Sequence, residues 1–167
     1  VQFAKALAKE SAGANSGFFR ERRKRTDMQN ARILIVDDQP DICAMLEQVL
    51  GPAGYDTTSV GSGKQAIASI LEDAPDLILL DVSMPDMDGY AVATMVKADP
   101  ATARIPIIMV SAQVGRGARV VGLGTGAEDY LTKPVDTAEL VLKVRNLLRL
   151  RKPVGGEHAS SEEVKPN

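Results

Sequence analysis

Apolar runs of four residues recur along the middle of the chain: Ile33-Leu34-Ile35-Val36, Leu77-Ile78-Leu79-Leu80 and Ile107-Ile108-Met109-Val110, with a shorter echo at Tyr130-Leu131. Short runs bounded by polar residues read as strands buried on both faces, the pattern of a parallel sheet covered by helices. The pattern predicts strands over Arg32 to Val36, Asp56 to Val60, Leu77 to Leu80, Ile107 to Val110 and Asp129 to Leu131. Helical spacing fills the intervals at Asp41 to Leu50, Lys64 to Leu71 and Tyr90 to Ala98, and a last, fifth helix runs from Thr137 to about Leu150. Pro100 cannot continue a helix and ends the third at Asp99, while Asp136 followed by Glu139 resembles a capping box opening the fifth. Strict alternation of strand and helix implies an α/β fold, a doubly wound five-stranded parallel sheet with helices on both faces.

The fourth helix, between Ser111 and Asp129, is the weakest element. Gly115, Gly117, Gly122, Gly124 and Gly126 fall in this stretch, and a glycine inside a helix costs about 1 kcal/mol relative to alanine. A short, mobile helix is expected, either as simple loop tolerance or as a segment whose low stability lets it move.

Composition narrows the picture. The 167 residues, 44% hydrophobic, suffice for one ordinary core with tails, and nothing suggests a second catalytic domain. No apolar stretch approaches a membrane span and no signal-peptide pattern opens the chain. The one cysteine, Cys43, lies in an apolar helical pattern and reads as a small core residue. A cytoplasmic setting is the default expectation. The net charge of −2 hides an asymmetry. Residues 1–30 carry seven Lys/Arg against three Asp/Glu, residues 31–150 ten against sixteen. The sequence therefore divides into a basic N-terminal extension or linker (1–30), an acidic body (31–151) and a flexible C-terminal tail (152–167). The basic cluster Arg20, Arg22, Arg23, Lys24 and Arg25 reads first as part of a disordered extension, and second as a contact for nucleic acid or an acidic protein face. Contact with nucleic acid is expected nowhere else, and contact with a membrane not at all.

The chemistry sits where strands end. Asp37 and Asp38 follow the first strand and Asp81 the third, and the carboxyl ends of neighbouring parallel strands converge on one crevice. Three carboxylates sharing a small site raise one another's pKa, a costly arrangement unless a cation relieves it. An all-oxygen set suits a hard divalent ion, and Mg²⁺ is its natural guest. Ser111 ends the fourth strand and Lys133 follows the fifth, so a hydroxyl and an ammonium join the crevice. Together these groups make a site for a tetrahedral dianion, a phosphoryl group.

Asp37-Asp38, the run Asp81-Val82-Ser83-Met84-Pro85-Asp86-Met87-Asp88-Gly89, the pair Ser111-Ala112 and Tyr130-Leu131-Thr132-Lys133-Pro134 resemble, in order and spacing, the receiver domain of two-component response regulators, the CheY-like family. The resemblance implies a flavodoxin-like (βα)5 fold with strand order 2-1-3-4-5. It implies that Asp81 takes a phosphoryl group from a phosphohistidine, forming an acyl phosphate, so that the domain is a signalling phosphoacceptor catalysing only its own phosphorylation and dephosphorylation. Asp38 and Asp81 would ligate Mg²⁺ directly, Asp37 through water, and the backbone carbonyl of Ser83 would add an oxygen. Lys133 would pair with a phosphoryl oxygen and, at rest, with Asp81; its peptide to Pro134 would be cis. Ser111 and Tyr130 would act as the switch, and small Ala112 would leave access to the phosphoryl group. Partners by resemblance are a sensor histidine kinase or phosphotransfer protein and a downstream protein target, with a homodimer through the fourth helix, fifth strand and fifth helix.

Rivals fare worse. A flavin-binding fold needs a phosphate-cradling loop after the first strand, where this chain has Asp37-Asp38-Gln39-Pro40-Asp41. An aspartyl-nucleophile phosphatase resembles the pattern in its acid, lysine and hydroxyl groups, but Asp86-Met87-Asp88 does not directly follow a first strand. Gly61-Ser62-Gly63-Lys64 lacks the earlier glycine and the following hydroxyl of a P-loop and reads as a loop entering a helix. His158 has no metal-spaced partners. The tail after the fifth helix is too short for an effector domain. The expectation is thus a receiver acting through protein contacts, with a module excised from a hybrid kinase, phosphorelay or multidomain regulator as the alternative.

Overall fold

The computed structural model describes residues 30–112, 120–122 and 124–151. Five parallel strands, β1 (Arg32–Val36), β2 (Asp56–Val60), β3 (Leu77–Asp81), β4 (Ile107–Ser111) and β5 (Asp129–Thr132), form one sheet in the order β2-β1-β3-β4-β5. Helices α1 (Pro40–Leu50), α2 (Gly63–Glu72), α3 (Gly89–Ala98) and a C-terminal helix (Thr137–Leu150) cover its two faces. Strand β3 reaches one residue further than the apolar run, to Asp81, and β4 to Ser111, because pairing of Asp81 with Val110 and of Ser111 with Thr132 continues the ladder past the apolar residues. Residues 120–122 and 124 are helical. Gly126 sits in the turn before β5 at φ 91°, whereas Gly115 and Gly117, the basic cluster at 20–25 and the tail from 152 lie outside the described residues.

Alternation along each strand divides the core. Leu34, Val36, Ile78, Leu80, Ile107, Met109 and Tyr130 face α2 and α3, meeting Ala66, Ile67, Ile70, Val92, Ala93 and Val96. Their neighbours Ile33, Ile35, Leu77, Leu79, Ile108, Val110 and Leu131 face α1 and the C-terminal helix, meeting Cys43, Leu46, Leu50, Leu140, Val144 and Leu148. Strands β3 and β4 are buried throughout, whereas β2, at the sheet edge, carries Asp, Thr, Thr and Ser and is largely exposed. Cys43 is a core residue, 7% exposed.

Local signals start and stop the helices. Ser62 Oγ accepts from the amide of Gln65, so the P-loop-like stretch is a helix cap. Asp88 Oδ1 accepts from Ala91 N–H at 2.8 Å, and Asp136 Oδ1 from Glu139 N–H at 2.8 Å. Helix α3 stops at Ala98, before Asp99 and Pro100. At the amino end of the sheet Lys97 Nζ donates to the carbonyls of Ala103 and Ile105 and to Glu128, whose second oxygen accepts from Ile107 N–H at 2.7 Å. This cluster ties the end of α3 to the starts of β4 and β5. No helix among the described residues is long and apolar enough to cross a membrane.

Ile108 is fully buried in β4 and packs between strands on both sides. Ile108→Ala is expected to lower unfolding free energy by about 2 to 5 kcal/mol. Urea denaturation should show this as a lower midpoint with an unchanged slope.

Candidate functional site

Register brings the acidic residues together. Val36 pairs with Leu80, so the next residues, Asp37 and Asp81, emerge side by side at the carboxyl edge. Val110 pairs with Asp81 and Ser111 with Thr132, which sets Ser111 and Lys133 at the same edge. Lys133 N–H donates to Ser111 O at 2.7 Å and Asp37 N–H to Val60 O at 3.2 Å, extending the ladders into the site loops. The peptide Lys133–Pro134 is cis.

Carboxylate oxygens of Asp37, Asp38 and Asp81 lie within 4.8 Å of one another. Asp37 and Asp81 are each 3% exposed, while Asp38 is exposed and has no hydrogen-bond or ion-pair partner among the described residues. Lys133 Nζ sits 2.7 Å from Asp37 Oδ2 and 3.0 Å from Asp81 Oδ1, a bridge between the two buried acids. Asp37 Oδ1 accepts from Gln39 N–H at 2.9 Å, so both of its oxygens are engaged. Asp81 Oδ2 is buried with no hydrogen-bond partner among the described residues. An acceptor left so in a buried site loses its hydration without return, at about 1 to 3 kcal/mol and more for a charged group.

Burial pushes the Asp81 carboxyl above the usual range; Lys133 and the Ser83 backbone N–H hold it down and the charge of Asp37 pushes it further up. Burial works against the Lys133 ammonium, yet its hydrogen bonds to Asp37 and Asp81 and their charges raise its pKa above the ordinary value. The Cys43 thiol donates to the Asp37 carbonyl at 3.4 Å, and burial and the nearby Asp37 charge raise its pKa, so it stays a neutral packing group.

The remaining candidates divide by burial. Ser111 is fully buried at the end of β4, and Tyr130 is 2% exposed against the α2–α3 side of the sheet. Ser83 and Ala112 are exposed at the rim. Sequence reasoning paired Lys133 with Asp81 and missed its shorter bond to Asp37. It also missed the amide of Gln39, for which backbone geometry around Pro40 was the only signal. The site is a hard-oxygen pocket with one ammonium at its wall and one buried oxygen left over. A divalent ion of the Mg²⁺ class fits that donor set, with Asp38 and Asp81 Oδ2 as its available oxygens.

The response regulator receiver domain family matches residues 33–145. The chain is 44% identical over 122 residues to the response regulator PleD of Caulobacter vibrioides, covering 73% of this chain and 27% of that protein. It is 40% identical over 138 residues to the DNA-binding response regulator MtrA of Mycolicibacterium smegmatis, covering 83% of this chain and 59% of that one. The chain thus aligns with between about a quarter and three fifths of these relatives' length. Among solved structures, the signal receiver domain of a signal transduction histidine kinase from Syntrophus aciditrophicus superposes with a TM-score of 0.68 at 35% identity, covering 77% of this chain and 98% of that one.

Asp38 adds a third charge to a pocket whose single ammonium already serves two acids. Asp38→Asn is expected to stabilise the metal-free protein by a few tenths to about 1 kcal/mol at low ionic strength. Chemical denaturation in chelator checks this, and the gain should shrink as salt is added.

Proposed function

The chain belongs to the response regulator receiver domain family, and from that premise we propose that it is an Mg²⁺-dependent phosphoacceptor in which Asp81 receives a phosphoryl group from a phosphohistidine. The observation that carries the reading is the buried, unpartnered Oδ2 of Asp81, one oxygen of a carboxylate whose other oxygen is held by Lys133. In the transfer, an Asp81 oxygen bonds to phosphorus while the bond to the histidine nitrogen breaks, leaving neutral imidazole on the partner. The bound ion supplies charge neutralisation between the phosphoryl dianion and the carboxylates. Asp38 and Asp81 hold it directly. Asp37, both of whose oxygens are already engaged, acts at one remove and keeps Lys133 in place. The Ser83 carbonyl contributes a rim oxygen.

Lys133 moves from its carboxylate bridge to a phosphoryl oxygen, and Ser111 donates its hydroxyl to another. Ala112, exposed at the rim, leaves room for the phosphoryl group and for the water that later hydrolyses it. Tyr130 lies one strand from Ser111 and carries the change toward the face of the fourth helical segment, β5 and the C-terminal helix. On that face Val120, Val121, Leu142 and Leu150 are exposed apolar side chains. The partners are a histidine kinase or phosphotransfer protein upstream and a protein, or a second copy of the chain, downstream. The extension before residue 31 and the tail after 151 flank the receiver as separate segments. A receiver module of a longer regulator or hybrid kinase is the second reading, supported by the greater length of the relatives and by the similarity to a histidine kinase's receiver.

Mg²⁺ is expected to raise the thermal midpoint by mass action and to leave Asp38→Ala unmoved; an equal shift in both would place the metal elsewhere. In the same buffer, acetyl phosphate should add one acid-labile phosphoryl group, seen by intact mass spectrometry, and Asp81→Asn should remove it. Labelling at full yield in that variant would overturn the central claim.

Output is expected through the exposed apolar face. Beryllofluoride with Mg²⁺ should tighten self-association or partner binding by about 1 to 3 kcal/mol. Light scattering over a concentration series reads the first, and titration with a partner the second. Leu142→Arg and Arg145→Glu should abolish the gain. Unchanged association in both variants would show that the face is wrong.

A further inference from the structure

The run from Asp81 to Gly89 contributes Asp81 and Ser83 to the proposed chemistry, and leaves Asp88 and Gly89 without a part. Gly89 opens α3 and is buried against the end of β3. Its N–H donates to the Val82 carbonyl at 2.9 Å, while Val82 N–H donates to Val110 O at 2.9 Å. A Cβ at Gly89 would stand 2.3 Å from the Asp81 carbonyl oxygen and 2.9 Å from Val82 Cα, closer than the 3.0 Å below which real side chains essentially never approach. The obstructing atoms are backbone, so no rotamer relieves them. One residue earlier, Asp88 Oδ1 caps Ala91 N–H and fixes the same turn.

Resting on the phosphoacceptor reading, we propose that the first turn of α3, seated by Gly89 on the main chain of Asp81 and locked by Asp88, is the positioning element that aims the Asp81 carboxylate between Asp38 and Lys133. The reasoning is geometric. Asp81 is the last residue of β3, paired on one side only through its ladder to Val110, and beyond it the chain turns into a loop that includes Asp86 at φ 67°. Side-chain contacts to Asp81 come from Lys133 and like-charged acids, which pull and push its carboxylate without fixing its Cα. The turn of α3 is the packed backbone that fixes it. A methyl group at position 89 forces either the helix start or the Asp81 peptide outward, and a displacement approaching an ångström at a reacting group lowers its rate about 100-fold.

The test compares Gly89→Ala with Gly126→Ala. Gly126 lies before β5 at φ +91°, where a side chain is strained, and its Cβ would meet the Lys97 side chain at 3.1 Å, with no atom of Asp81 or of the first turn of α3 among its three nearest neighbours. Both variants should lose stability. Only Gly89→Ala should weaken Mg²⁺ binding, read by calorimetry, about 10- to 100-fold, and slow acetyl phosphate labelling at saturating Mg²⁺ by a similar factor. Equal losses in both variants would mean general loosening and would overturn the proposal; so would a Gly89→Ala protein with wild-type Mg²⁺ affinity and rate. If Gly89→Ala does not accumulate folded, Asp88→Ala loosens the same turn without adding an atom. It should show a several-fold loss of the same two quantities, and unchanged values in it would likewise overturn the proposal. Wild-type protein that binds no Mg²⁺ and takes no label would instead remove the phosphoacceptor reading itself.

Discussion

One ammonium holds two buried carboxylates 2.7 and 3.0 Å away at the point where the parallel strands converge. Parallel pairing makes that convergence unavoidable, since every strand delivers its carboxyl end to the same edge. What the chain places at those ends is mostly acid, and such acids raise one another's pKa and resist sharing a crevice. Lys133 resolves the conflict for Asp37 and for one oxygen of Asp81. It leaves Asp38 and the other oxygen of Asp81 unsatisfied. The rest of the fold can be understood as the rigid support such a compromise needs: two apolar layers, five strands in one register, and capped helix starts pressed against the site loops.

The fold was largely legible in the sequence because its signals are local and repeated. Apolar runs of four, proline at 100 and the capping box at Asp136 each act within a few positions; the caps at Ser62 and Asp88 were seen only in the structure. The predicted elements differ from the structure by a residue or so at their ends, as when β3 takes in Asp81 and β4 takes in Ser111. Strand order was not legible locally; it came from resemblance, because nothing in five similar runs says which lie side by side. The glycine-rich stretch after Ser111 was the weakest element to place, having neither helix propensity nor a strong apolar stripe, and its residues 113–119 and 123 lie outside the described residues.

The site was legible in its members and less so in its wiring. Asp37, Asp38, Asp81, Ser111 and Lys133 all stand at strand ends, where their positions relative to the apolar runs put them. Which oxygen Lys133 touches depends on the register of β1 against β3 and on the path of the chain through Pro134, neither of which is written in a residue type. The bond from Gln39 N–H to Asp37 is a main-chain contact, invisible to any pattern of side chains. The close seat of Gly89 is also a main-chain fact: the sequence pattern starts the helix at Tyr90 and leaves Gly89 in the loop, whereas the structure makes Gly89 its first residue.

Stability and chemistry pull against each other in this pocket. A carboxylate oxygen buried without a partner and a third acid with no counter-ion both raise the energy of the folded, metal-free state, and the hydrophobic layers must carry that burden. Sites of this kind keep their strain where a ligand relieves it. Here the relief has a defined address, since carboxylate oxygens of Asp37, Asp38 and Asp81 lie within 4.8 Å of one another and the Lys133 ammonium is already engaged by two of these acids. On the proposed reading, a cation would meet Asp38 and the free oxygen of Asp81 first, and an anion following it would draw Lys133 from one of its carboxylates. The Lys133 amide is bonded to the Ser111 carbonyl, so the residue that answers the two acids is also tied by its main chain to β4; on the proposed phosphoacceptor reading, that tie is the route from the pocket to the face of β5 and the C-terminal helix.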